Sequence, residues 1–291
     1  MRSVQSITGP RVLHVGAVLS LLALAGCGSP DSAQLLSRAA DAAEEGRYRA
    51  AAIDLRTAVA NEPDNAEARF RLGLMALQLG DPATAEKELR RARELGYEEA
   101  SLLEPTAEAL IELSRARQAL AELALVAPAT ANSEALSGRA HEQLDEQDYA
   151  LRAYQRSLAL DGDNEDALLG KARFASAKGD REAAEEALER ARRAHGDSLD
   201  VALDLGRFLL LTQRPEEGEA VLANAFASAQ AFQSPVKRGD VLVSLAEAQL
   251  AQSKLDAAAE TARTLLTVRP DDILATYIDA RIAYARDDLA L

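Results

Sequence analysis

Residues 66–97 read AEARFRLGLMALQLGDPATAEKELRRARELGY. This stretch predicts two antiparallel helices hinged at Gly80, Asp81 and Pro82. Leu72, Gly73, Ala76, Ala85, Leu89 and Ala92 recur at helical offsets, which places apolar or small side chains along one seam of each helix. Gly73 and Ala85 let two backbones approach closely, while Leu72 and Leu89 fill the space between them. Pro82 can open the second helix, because the first turn of a helix leaves its N–H groups unpaired in any case.

The same arrangement recurs when the chain is walked in steps of 34 residues from Ala66. One step back starts at Ser32, with Gly46 and Tyr48 at the turn, Ala51, Leu55 and Ala58 in the second helix, and Pro63 closing the unit. One step forward starts at Ala100 and is degraded: Ser114 stands where the turn glycine belongs, and Pro128 arrives early. A three-residue slip resets the register at Ala131, and further units start at Glu165 and Leu199. Residues 226–238 (FASAQAFQSPVKR) then break the period, and are expected to extend the preceding helix until Ser234 and Pro235 stop it. A seventh unit starts near Gly239, and the first helix of an eighth follows from Ile273.

The period and residue classes resemble the tetratricopeptide repeat (TPR), a helical hairpin of about 34 residues that stacks into a solenoid. The resemblance implies an all-α, right-handed superhelix over residues 32–286. It comprises about seven units and one further helix, with 287–291 as a truncated or frayed end. In that reading Ile273, Leu274, Tyr277, Ile278, Ile282 and Tyr284 lack a partner layer, so the chain reads as part of a longer array. Composition agrees. Aromatics make up 4% of the residues and Trp is absent, which suits a core buried layer by layer between small side chains.

The formal net charge is -14, from 33 basic and 47 acidic residues. Such a surface disfavours nucleic acid or an anionic lipid leaflet as the main partner.

The single cysteine, Cys27, ends a segment in which Arg2 and Arg11 flank the start of an apolar run over residues 12–25. A basic start, a short apolar stretch and small residues before the cut describe an export signal rather than a spanning helix. Leu24, Ala25 and Gly26 before Cys27 resemble the bacterial lipobox. That resemblance implies a signal peptide over 1–26, acylation of Cys27, and a short tether over 27–31. With Gly28 rather than Asp after the cysteine, it further implies an outer-membrane lipoprotein facing the periplasm.

Nothing in the sequence reads as catalytic. The chain has His14, His141 and His195, with no metal-ligand spacing among them, and neither a phosphate-binding loop nor a nucleophile elbow. No enzyme activity, metal or cofactor is expected. The sharper signal lies on the first helices, where the resemblance places every ninth repeat position in the concave groove. That position reads Ala40, Leu74, Glu108, Arg139, Arg173, Arg207, Glu247 and Arg281. Three consecutive arginines at 34-residue spacing predict a ladder suited to carboxylates, with Arg281 further along. Peptide tails, protein partners or an acidic polysaccharide are the expected ligands. The competing reading pairs each arginine with neighbouring acids such as Glu142 or Asp166.

The lipobox, the near-absent linker and the two hairpins over 46–97 also resemble the N-terminus of TPR lipoproteins of the PEP-CTERM/exosortase system (PrsT). That implies a scaffold without chemistry of its own in exopolysaccharide export or protein sorting. Alternatives are a pilotin-like or assembly lipoprotein for a secretin or pilus, and the docking arm of a polysaccharide-modifying enzyme whose catalytic domain lies elsewhere.

Overall fold

The computed structural model describes residues 31–229 and 234–286, and every regular element among them is helical. The lipobox Leu24, Ala25 and Gly26, the lipidation candidate Cys27 and the end segment 287–291 lie outside the described residues. None of the described helices is long and apolar enough to cross a membrane.

The helices pair in sequence. They are α1 (Ser32–Glu44) with α2 (Tyr48–Asn61), α3 (Ala66–Gln78) with α4 (Pro82–Glu94), and α5 (Glu99–Glu112) with α6 (Ala116–Leu123). Next come α7 (Ala131–Gln143) with α8 (Gln147–Leu160), α9 (Glu165–Ala177) with α10 (Arg181–Ala194), and α11 (Leu199–Leu211) with α12 (Pro215–Ser228). Then α13 (Pro235–Ala251) pairs with α14 (Leu255–Val268), and α15 (Ile273–Ala285) packs on that last pair. Consecutive first helices also touch, α3 to α5 and onward through α15, so they form one continuous inner layer.

Local chemistry explains the boundaries. Asn65, Asp81, Asn164, Asp180 and Ser198 each cap a helix by accepting a hydrogen bond from a backbone N–H in its first turn. Each hairpin turn contains one residue with positive φ: Gly46, Gly80, Ser114, Asp145, Gly179, Gln213 and Ser253. Their numbers differ by 34, 34, 31, 34, 34 and 40, so the backbone itself records the three-residue slip and the later insertion. Ser114 adopts the same left-handed conformation as the glycines it replaces, at some steric cost. The hairpin it joins is indeed shortened, for α6 has only 8 residues.

Two expectations need correction. Ser234 and Pro235 do not stop a helix; α12 ends at Ser228, and Pro235 opens α13. The proline occupies the first turn, where no N–H partner is needed, and the Arg238 N–H donates to the Ser234 carbonyl at 3.0 Å. Helix α13 therefore runs for 17 residues, beginning before the expected unit boundary at Gly239. On α15, Ile278 and Ile282 are not without a partner layer: they bury against α13 and α14. Ile273, Leu274, Tyr277 and Tyr284 on the same helix remain exposed.

The core is assembled in layers of alanine and leucine, as the composition predicted. The largest buried side chain is Tyr154 on α8, 1% exposed, held between Gly138 on α7 and Gly170 on α9. A Cβ would come within 2.3 Å of a tyrosine ring carbon at Gly138 and within 2.2 Å at Gly170, so glycine is required at both places.

Candidate functional site

The inner layer of first helices lines a concave pocket of about 650 Å³. Its walls carry Leu77 on α3, Glu108 and Glu112 on α5, Arg139 on α7, Asp166 and Arg173 on α9, and Asp200 and Asp204 on α11. The far wall is the start of α13, from which Lys237 and Asp240 project. The chain closes over the pocket at Gly80. A Cβ there would lie 3.2 Å from Ser234 Oγ and 4.0 Å from Val236 Cβ, although four repeats separate the two segments.

The arginines of the expected ladder divide. Arg139 and Arg173 lie in this pocket, on neighbouring first helices. Arg207 is exposed on α11, in an adjoining depression with Phe208 and Leu211 that shares Arg173 and Asp204 with the main pocket, and has no ion-pair partner among the described residues. Arg281 sits on α15, its guanidinium 5.7 Å from the Tyr277 ring.

Arg139 and Arg173 are not free forks. Arg139 bonds Glu112 on α5 and Asp166 on α9, the latter at 3.3 Å. Arg173 bonds Glu142 on α7 at 3.1 Å and Asp204 on α11 at 2.8 Å. Lys237 continues the series by pairing with Asp200. Each arginine therefore ties together three consecutive first helices. Burial acts against both guanidinium charges, but the flanking carboxylates outweigh it and hold both pKa values above the ordinary arginine value.

Two tetratricopeptide repeat models match the sequence, one over residues 36–100 and the other over 144–198 and 175–238, together more than half of the chain. The chain is a tetratricopeptide repeat protein. Among solved structures, the TPR array resembles a tetratricopeptide repeat protein from Parabacteroides merdae ATCC 43184. The TM-score is 0.59 at 16% identity, over 86% of this chain and 98% of that one. It also resembles a chain of the APC/C hetero-tetramer Cut9-Hcn1, with a TM-score of 0.63 at 15% identity, over 86% of this chain and 51% of that one. No curated protein matches the sequence.

The TPR groove has the opposite charge balance to the basic strip expected. Its pocket has six carboxylates (Glu108, Glu112, Asp166, Asp200, Asp204 and Asp240) against Arg139, Arg173 and Lys237. Glu142 and Asp166 are among the expected partners, whereas Glu112, Asp204 and Lys237 join the site only through the stacking of the repeats. A signal for the acids was present, since Asp166 and Asp200 recur at the same 34-residue spacing as the arginines. Lys237 lay in the segment read as a break in the repeat. Apolar side chains on the first helices take different environments. Leu203 is buried and Phe70 stacks on Tyr97 with ring centroids 4.3 Å apart, whereas Leu211 is exposed. Among the described residues, no cluster of three His, Cys, Asp or Glu side chains could hold a metal.

Proposed function

We propose that this TPR protein is a scaffold of the bacterial envelope that holds an extended segment of a partner protein in its concave groove. The observation that carries this reading is the inner pocket, where six first helices converge on one cavity with charged and apolar walls. Pockets of mixed lining suit peptide segments, because apolar surface supplies affinity while placed polar groups set register.

The sequence adds the location. The lipobox tetrad 24–27 supports acylation of Cys27 and an outer-membrane anchor facing the periplasm. The likeness of the first hairpins to PEP-CTERM-associated TPR lipoproteins supports a place in exopolysaccharide export or protein sorting. A scaffold of this kind contributes binding and position rather than chemistry.

Labelling cells with an alkynyl fatty acid tests the anchor, which requires label on the wild-type protein and none on Cys27→Ser. A photo-crosslinking residue at Leu77, in the pocket wall, tests the groove. Crosslinks to polysaccharide-export or sorting components are expected. Crosslinks to a secretin or pilus subunit would instead make it an assembly lipoprotein, and none at all would overturn groove binding.

A further inference from the structure

Within the pocket, the ion pairs leave one acid over. Glu112 and Asp166 share Arg139, Asp204 takes Arg173, Asp200 takes Lys237, and Asp240 takes Arg269 at 2.9 Å. Glu108 alone of the six has no hydrogen bond or ion pair among the described residues. It stands on α5 at the repeat position that holds arginine in the next three units. Its side chain is half-buried in the pocket wall, and that partial burial raises its pKa. Arg139 and Lys237 act against this from a distance, while Asp166 and Glu112 add to it.

A half-buried carboxylate without a hydrogen-bonded partner marks a place where a cation would gain, because part of its desolvation has already occurred in the free protein. The chain itself demonstrates the chemistry a short way along the same cavity. Lys237 reaches in from the first turn of α13 and sets its ammonium on Asp200, with Asp166 and Glu165 also favouring its charge. The lining includes Leu77, Leu169 and Leu203, which suit the alkyl stem of such a side chain.

We propose that the pocket seats a lysine or arginine side chain of an extended partner segment, its cationic head on Glu108 and its stem along the leucines. This rests on the groove-binding reading above, and it reverses the expectation of a carboxylate ligand.

The probes are fluorescent decapeptides, acetylated and amidated, identical except for Lys, Arg, Gln or Glu at one central position. Anisotropy titrations use the full chain. The Lys and Arg peptides are expected to bind at least about tenfold more tightly than the Gln and Glu peptides, the scale of one charge-assisted hydrogen bond. Glu108→Gln should remove that preference while leaving residual binding, and Glu108→Asp should restore part of it. A second measurement needs no variant: the preference of the wild-type chain should shrink as salt is raised. Equal or tighter binding of the Glu peptide, or a preference that persists in Glu108→Gln, overturns the cation seat while groove binding stands. Binding of none of the four overturns both.

Discussion

At the residue scale, two positions show how packing and charge act on single side chains. Folding favours the neutral form of Glu108, because burial holds its pKa above the ordinary 4.5. Its ionisation therefore lowers stability above the folded pKa, and the penalty vanishes below the unfolded one. Glu108→Gln should melt at a higher temperature than wild type at pH 7. The gain should shrink as pH falls through the folded pKa and be absent below about 4.5, the ordinary value. A variant that melts lower at pH 7 would contradict the unpaired carboxylate. Tyr154 makes the complementary case. Its ring fills the space left by Gly138 and Gly170, and among the described residues its buried hydroxyl has no hydrogen-bond partner, although the Glu142 charge helps to keep it protonated. Gly138→Ala and Gly170→Ala should each cost about 1–3 kcal/mol through overpacking. Tyr154→Phe should be neutral or slightly stabilising, since it removes an unsatisfied polar atom. Urea unfolding of the three variants measures the contrast.

At the element scale, ion pairs of similar composition differ in strength according to burial. Arg69 on α3 bonds Glu88 on α4 at 2.5 Å, with 13% and 6% of the side chains exposed, and also donates to the Pro63 carbonyl at 2.7 Å. Arg38 on α1 meets Asp54 on α2 at 3.0 Å with 60% of the arginine exposed. Arg69→Ala leaves the buried Glu88 carboxylate only its contact with the exposed Lys87, at 3.2 Å, and should cost about 1.5–3 kcal/mol. Arg38→Ala loses a pair that water already screens and should cost under about 1 kcal/mol. Equal losses in denaturant would show that the α3–α4 pair is wetter than its burial indicates. The same reasoning applies to the groove arginines. Charge reversal at Arg173 would set an acid between Glu142 and Asp204, so it should lower the melting temperature as well as any binding.

At the scale of the whole molecule, the groove is bounded by a contact that no single repeat contains. The turn at Gly80 meets the start of α13, which reaches it because the chain between Gln213 and Ser253 is six residues longer than the repeat. A Cβ at residue 80 would lie 4.0 Å from that of Val236, within the span of a disulfide. In a Cys27→Ser background, Gly80→Cys with Val236→Cys should therefore oxidise readily, seen as loss of free thiol and a shift on non-reducing gels. Conversion would occur despite a strain of about 1–2 kcal/mol for a side chain at positive φ. Failure to oxidise would mean that the two arms of the superhelix stand apart in solution.

The fold was legible because a TPR core is local. Each hairpin needs small and apolar residues at set offsets, and these appear in the sequence wherever the hairpin appears in space. The slip before Ala131, the short third unit and the left-handed turn at Ser114 followed from the same local rule. The local rule fails at the start of α13, since Ser234-Pro235 serves equally at either end of a helix and the neighbouring layer decides which, and on α15, where Ile278 and Ile282 find cover against α13 and α14. The groove was legible in position but not in sign. The recurrence of Arg139, Arg173 and Arg207 shows in the sequence, whereas the partners of Arg139 and Arg173 come from adjacent repeats, 27 to 31 residues away. Sequence alone determined the architecture, because helix pairing depends on neighbours along the chain. Tertiary structure alone decided that two of the arginines are engaged and Glu108 is not, because charge balance in a groove depends on which helices stacking brings face to face.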